Sequence, residues 1–228
     1  VLTSCNYGEK QTADIVASYS RIQQLLQGDS FIKLVKSLLK NGKTNVRERA
    51  LSIFNTQLAD LTPQGVRLVR EFEHLFIGML PVLTNIIASQ DEAILKQGAI
   101  IAIELLSRKF AQNSEEPLVA CVPIVLKQLE DNYNVQISSS SALCLATMIV
   151  ELGVHALEYL PSIVNTLLRI IQATFPSESA KNPSKGMQLL QITSLSALDL
   201  LIKRQLNFLS PYMSQFLSTL LHPVLLQS

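Results

Sequence analysis

Apolar residues along this chain recur at steps of three and four. Val66, Val69, Phe72, Phe76, Met79, Leu83 and Ile86 form one such stripe, the spacing that lines one face of an α-helix. Phe31, Leu34, Val35 and Leu38 form another, opposite Lys33, Lys36 and Lys40. Strict alternation over strand-length runs is nearly absent. Asn41-Gly42, a dipeptide of the hairpin type, lies between two helix-period segments rather than two strands. The pattern predicts an all-α chain.

The helices sort into pairs. An apolar residue and a proline stand shortly before a helix at Leu80-Pro81, Val122-Pro123, Leu160-Pro161 and Leu209-Ser210-Pro211, so successive prolines are 42, 38 and 50 residues apart. Second helices are expected to begin near Val46, Leu95, Ser138 and Leu190, at steps of 49, 43 and 52. Two helices per unit at a period of about 40–47 residues is the HEAT/armadillo pattern. The expected architecture is an α-solenoid of HEAT/armadillo-type helical pairs. Residues 1–228 are expected to form a single segment of a longer protein, with about four complete pairs and part of a fifth.

The second helices share a motif. "VRERALSIFNTQL" at Val46 and "LKQGAIIAIELL" at Leu95 each place an alanine three residues after a base, and "SSSSALCLATMIV" at Ser138 keeps the alanine without the base. The alanine is expected to let neighbouring helices approach closely. Arg47 and Lys96 are expected to bind a carbonyl or carboxylate at the inter-helix turn. Asn45 followed by Glu48 is a capping-box variant, and Thr62-Pro63 and Ser210-Pro211 read as helix starts. Lys203-Arg204 closes a helix where the dipole favours positive charge. "FPSESAKNPSKG", 175–186, reads as a flexible insertion whose Ser177, Ser179 and Ser184 are phosphorylation candidates.

Apolar residues make up 48% and charged residues 16% of the chain, which leaves plenty to bury and little tendency to disorder. No apolar run reaches the roughly 18 residues of a membrane span. The last helix, around Phe216, Leu217, Leu220 and Leu221, is expected to expose apolar surface and self-associate. The formal net charge of +1 conceals an asymmetry: residues 1–50 carry eight Lys/Arg against four Asp/Glu, and the remainder eleven against fourteen. Cys5, Cys121 and Cys144 are an odd number at wide spacing, the usage of buried free thiols rather than a disulfide frame or zinc site.

Chemistry is sparse. "NGKT" at Asn41 lacks the upstream glycine of a phosphate-binding loop, because Ser37 stands there, and reads as a turn. His74, His155 and His222 each stand alone. The carboxylate pairs Glu71/Glu73, Asp91/Glu92, Glu115/Glu116 and Glu130/Asp131 are read as solvated, the last three in or beside turns. Ser138–Ser141 are expected to cap a helix or face water. No catalytic, cofactor-binding or metal-ligating residue and no cofactor is expected. The one functional candidate is basic: Lys33, Lys36, Lys40, Lys43 and Arg49 are candidate RNA-phosphate contacts, sequence-independent and salt-sensitive. The competing reading is a solvated face.

The blocks "QGAIIAIELLSRKF", "SALCLATMIVELGVHALEYLPSIVNTLL" and "FLSPYMSQFL" follow "VRERALSIFNTQL" in the order seen in one family. Over residues 46–218 the chain resembles the large HEAT-repeat scaffolds of the small-subunit processome, the HEAT repeat-containing protein one or U three small nucleolar RNA-associated protein ten family. That resemblance implies a nuclear, nucleolar scaffold without catalytic residues. It implies other processome proteins and precursor ribosomal RNA as partners, with a link to polymerase I transcription. No membrane or small-molecule substrate is expected. The alternative is an importin-type transport receptor or trafficking scaffold, since those are also HEAT arrays.

Overall fold

The computed structural model describes residues 28–61, 72–131, 134–175 and 184–221. Eleven α-helices follow one another among these residues. They are α1 (Gly28–Leu39), α2 (Thr44–Asp60), α3 (Glu73–Ile77), α4 (Leu80–Ala88), α5 (Ala93–Phe110), α6 (Glu115–Val119), α7 (Val122–Asp131), α8 (Val135–Leu152), α9 (Leu160–Ala173), α10 (Lys185–Leu209) and α11 (Met213–Leu220). Two 3-10 turns, Gly153–Tyr159 and Ser210–Tyr212, precede α9 and α11. The described residues contain no strand.

The prolines mark a break that recurs in each unit. A proline inside a helix removes a backbone donor and crowds the preceding turn, whereas the first turn has donors to spare. The chain therefore stops and restarts at the Leu or Val one residue before each of these prolines. α3 ends at Ile77 and α4 restarts at Leu80, α6 gives way to α7 at Val122, and a 3-10 turn gives way to α9 at Leu160. The stripe from Phe72 to Ile86 thus lies on two helices rather than one, although Phe76, Met79, Leu83 and Ile86 all remain buried. Val66 and Val69, like Thr62-Pro63, lie outside the described residues.

The long second helices stack in the order α2, α5, α8, α10, and the broken helices α1, α3/α4, α7, α9 and α11 form an outer row against them. This is an α-solenoid. The alanines of the repeated motif, Ala50, Ala99 and Ala142, are at most 1% exposed, as is Ala197 in the last unit. Gly98 extends the same logic, since a Cβ there would stand 3.4 Å from Leu51 Cδ1. Larger residues fill the space between the two rows: Phe76 stacks on Phe54 with centroids 6.3 Å apart and meets Phe110 at 5.5 Å.

Several local expectations are corrected. Asn45 forms no capping box, because α2 already begins at Thr44 and its N-cap is Lys43, whose side chain makes no capping hydrogen bond. Asn41 takes over instead, its Oδ1 accepting from the Lys43 N–H at 2.9 Å, the usual self-bonding of an Asx turn. Ser138–Ser141 do not cap either. Asn134 caps α8 by accepting from the Gln136 and Ile137 N–H groups, and Ser138, Ser139 and Ser141 are buried in the stack. Ser210 provides no cap and begins a 3-10 turn. Lys203-Arg204 stand just before a kink at Gln205 (φ −127°, ψ 27°), after which α10 resumes to Leu209. Ser184, placed in the insertion by sequence, caps α10 at the Met187 N–H. Ser177 and Ser179 lie outside the described residues. Finally, Val135–Ala173 is long and apolar enough to cross a membrane by length and composition, yet 61% of its most apolar window is buried inside the protein.

Candidate functional site

The basic candidates gather where α1 turns into α2. Phe31, Ile32, Val35 and Leu39 form the buried face of α1, while Leu34, expected there, is 46% exposed. At about 100° per residue Leu34 stands about 100° round the helix from Val35, beyond the edge of that buried face. Lys33 is exposed and paired with Asp29 at 2.8 Å. Lys36 is half-buried, its Nζ donating to the Gly78 carbonyl at 3.3 Å, so it ties α1 to the next unit. Lys40 and Lys43 are exposed on the turn itself. Arg49 is exposed about one and a half turns into α2, beside a hollow it lines with Glu48, Val46 and Leu38. The structure thus brings Lys40 and Lys43 together on one turn, takes Lys36 into a structural bond, and partly neutralises Lys33.

Arg47 takes the structural role expected of it. Its guanidinium nitrogens donate to both oxygens of Asp91 at 2.6 and 2.7 Å, a bidentate fork. Both side chains are about 80% buried, at 18% and 20% exposure. The hydrogen bonds from Arg47 hold the Asp91 carboxyl below its ordinary value, with Ser89 adding a further bond, while Asp91 raises Arg47. Sequence treated Asp91 as a solvated turn residue; it is instead the anchor of this cross-unit pair. Lys96, the second expected base, makes no such bond and acts on Asp91 only through its field.

Residues with chemical potential elsewhere are inert or scattered. Cys121 and Cys144 are free and buried. Burial pushes the Cys121 thiol up to about 11 and Cys144 well above its ordinary value, the condition of a small core residue rather than a nucleophile. Cys5, Glu71 and His222 lie outside the described residues. His74 and His155 are exposed and in different units. Among the described residues no cluster of His, Cys, Asp and Glu could hold a metal ion.

Sequence reasoning also missed a groove between outer helices of adjacent units. About 940 Å³ in volume, it runs between α3/α4 and α6/α7 and is open to solvent. Ile77, Pro81 and Thr84 form one wall, Pro117, Ala120 and Ile124 the other, and buried Cys121 lies at the floor. Small or proline side chains at facing positions left the space unfilled; that signal is present in the sequence but uninterpretable without the pairing of helices.

Known proteins extend the resemblance. A HEAT repeat-containing protein 1 homolog from Dictyostelium discoideum is 31% identical over 220 residues, 94% of this chain and 9% of its own. The human HEAT repeat-containing protein 1 is 24% identical over 210 residues, 89% of this chain. The U3 small nucleolar RNA-associated protein 10 of Emericella nidulans is 24% identical over 148 residues, 62% of this chain. The chain spans about a tenth of the length of the curated relatives it matches. No protein-family model matches it.

Proposed function

This chain is a homologue of one segment of the HEAT repeat-containing protein 1 and U3 small nucleolar RNA-associated protein 10 family, and on that premise we propose that it is a non-catalytic scaffold segment of ribosome biogenesis. It serves small-subunit processome assembly and precursor ribosomal RNA processing in the nucleolus, coupled to polymerase I transcription. The observation that carries this is the alignment with the Dictyostelium relative over 94% of the chain. The extended solenoid supports it, since stacked helix pairs present continuous surfaces on which several partners can assemble.

Within that role, the α1–α2 turn is the surface that meets precursor RNA. Lys40, Lys43 and Arg49 are exposed and chemically suited to phosphate, and Lys33 joins them once RNA displaces Asp29. Lys36 stays in its bond to Gly78 and contributes field rather than contact. Such binding reads charge and not sequence.

Two measurements test the proposal. Depleting the protein from cells lowers mature small-subunit ribosomal RNA and accumulates its precursor while large-subunit RNA persists; equal loss of both, or of neither, contradicts the role. For the turn, filter binding of single-stranded precursor RNA across a salt series compares the native chain with Lys40→Glu/Lys43→Glu/Arg49→Glu. Three lost contacts flatten the log–log salt slope by about 2, with the melting temperature unchanged. An unaltered slope leaves the solvated-face reading standing.

A further inference from the structure

The groove between α3/α4 and α6/α7 has a polarity that the phosphate-contact surface lacks. Its floor and walls are apolar over most of their length. One end is acidic: Glu73 accepts from the Ser114 hydroxyl at 2.7 Å and from the Asn113 amide at 3.4 Å, which fixes the carboxylate at the mouth. Those two bonds use one lone pair on each oxygen and leave capacity for a cation. Glu115 and Glu116 follow directly in the first turn of α6. One cation approaches the same wall, Lys36, and its ammonium is engaged with the Gly78 carbonyl. His74 and the buried Cys121 are the other titratable groups of the lining.

These features select an occupant. Glu73 lines the mouth, and Glu115 and Glu116 follow the lining residue Ser114 in the chain, so the local charge disfavours phosphate and favours a cationic ligand over RNA. The site is open along its length rather than a closed cavity, the shape of a cradle for chain rather than for a small molecule. An apolar floor with a charged end is the anchor arrangement of protein recognition, in which one buried side chain supplies affinity and one ion pair supplies orientation.

We propose that this groove docks a short peptide segment of a partner protein, seating an apolar side chain over Cys121 between Ile77 and Ile124 and a lysine or arginine against Glu73. The surface is distinct from the α1–α2 turn, and neither claim depends on the other.

The test is fluorescence anisotropy on the whole chain with two labelled hexapeptides, Ala-Leu-Ala-Leu-Arg-Arg and its twin ending in Glu-Glu. The basic peptide binds and the acidic one binds at least about tenfold more weakly. Ala120→Trp fills the groove from an exposed position and lowers affinity for the basic peptide about tenfold, with folding checked by thermal melting. Glu73→Gln keeps an acceptor for Ser114 and narrows the preference between the two peptides, which decides the matter should the tryptophan variant melt early. Equal affinity for both peptides, no binding at about 1 mM, or an unchanged Kd in the filled groove overturns the proposal.

Discussion

Arg47 and Asp91 show how much one pair of side chains settles. Both are mostly buried, so each would be expensive alone, and removing either partner strands the other. Asp91→Ala is expected to destabilise the fold by about 2 kcal/mol, measured by urea unfolding. The pH dependence follows from the direction of the shift. Asp91 titrates lower in the folded chain than its ordinary 3.8, so its contribution is complete above that value and is lost as pH falls through the depressed folded value. The native chain should therefore lose stability below about pH 4 more steeply than Asp91→Asn. Parallel curves would show the pair to be energetically idle. The serines of the stack give the opposite sign. Ser138, Ser141 and Ser194 are fully buried with hydroxyls that meet no partner, so each alanine replacement should stabilise by up to about 1 kcal/mol. A loss of stability would reveal bonds that these hydroxyls do make.

At the scale of elements, the period legible in the sequence turns out to govern polar contacts as well as apolar ones. Lys36 to Gly78 spans 42 residues, Asn55 to Gly98 43, Gln97 to Ser140 43, Arg47 to Asp91 44, and Thr147 to Glu104 43. Each bond ties one unit to the next. Helical pairs, the proline spacing and the close-packing alanines were readable because they rest on local periodicity and on residue size. Three things were not. The break before each Leu-Pro was invisible in a stripe whose apolar spacing runs through it. The burial of Ser138, Ser139 and Ser141 depends on α10 lying across α8, a contact between segments some fifty residues apart. The groove at Glu73 arises between units, where neither helix alone has a hollow. α8 also ends at a position with a demand of its own: Gly153 has φ +54° and ψ −126°, a conformation that costs an L-residue about 1–3 kcal/mol. Gly153→Ala should lower stability by that amount in thermal unfolding, even though a Cβ there would meet nothing within 4 Å. No change would mean the backbone relaxes.

For the whole molecule, the stack decides which surfaces remain sticky. The last helix was expected to expose Phe216, Leu217, Leu220 and Leu221. Phe216 is instead 1% exposed and Leu220 half-buried, because α11 turns that edge onto α9. The open face belongs to Met213, Leu217 and Leu221, spaced four apart, with Leu206 and Phe208 from the end of α10, all between 40% and 59% exposed. Exposed apolar surface of this kind promotes association. The chain should therefore form concentration-dependent oligomers by light scattering, and Leu217→Glu/Leu221→Glu should shift them toward monomer. A strictly monomeric native chain at high concentration would contradict this.

The central claim, that this solenoid is a scaffold segment of small-subunit ribosome assembly, is tested most directly by affinity purification of the tagged protein from cells, with bound RNA sequenced and bound proteins identified. A scaffold of this kind brings down the precursor ribosomal RNA leader together with nucleolar assembly factors. Recovery of transport cargo with a Ran-type GTPase, or of vesicle-coat proteins, without that RNA would keep the fold and contradict the function.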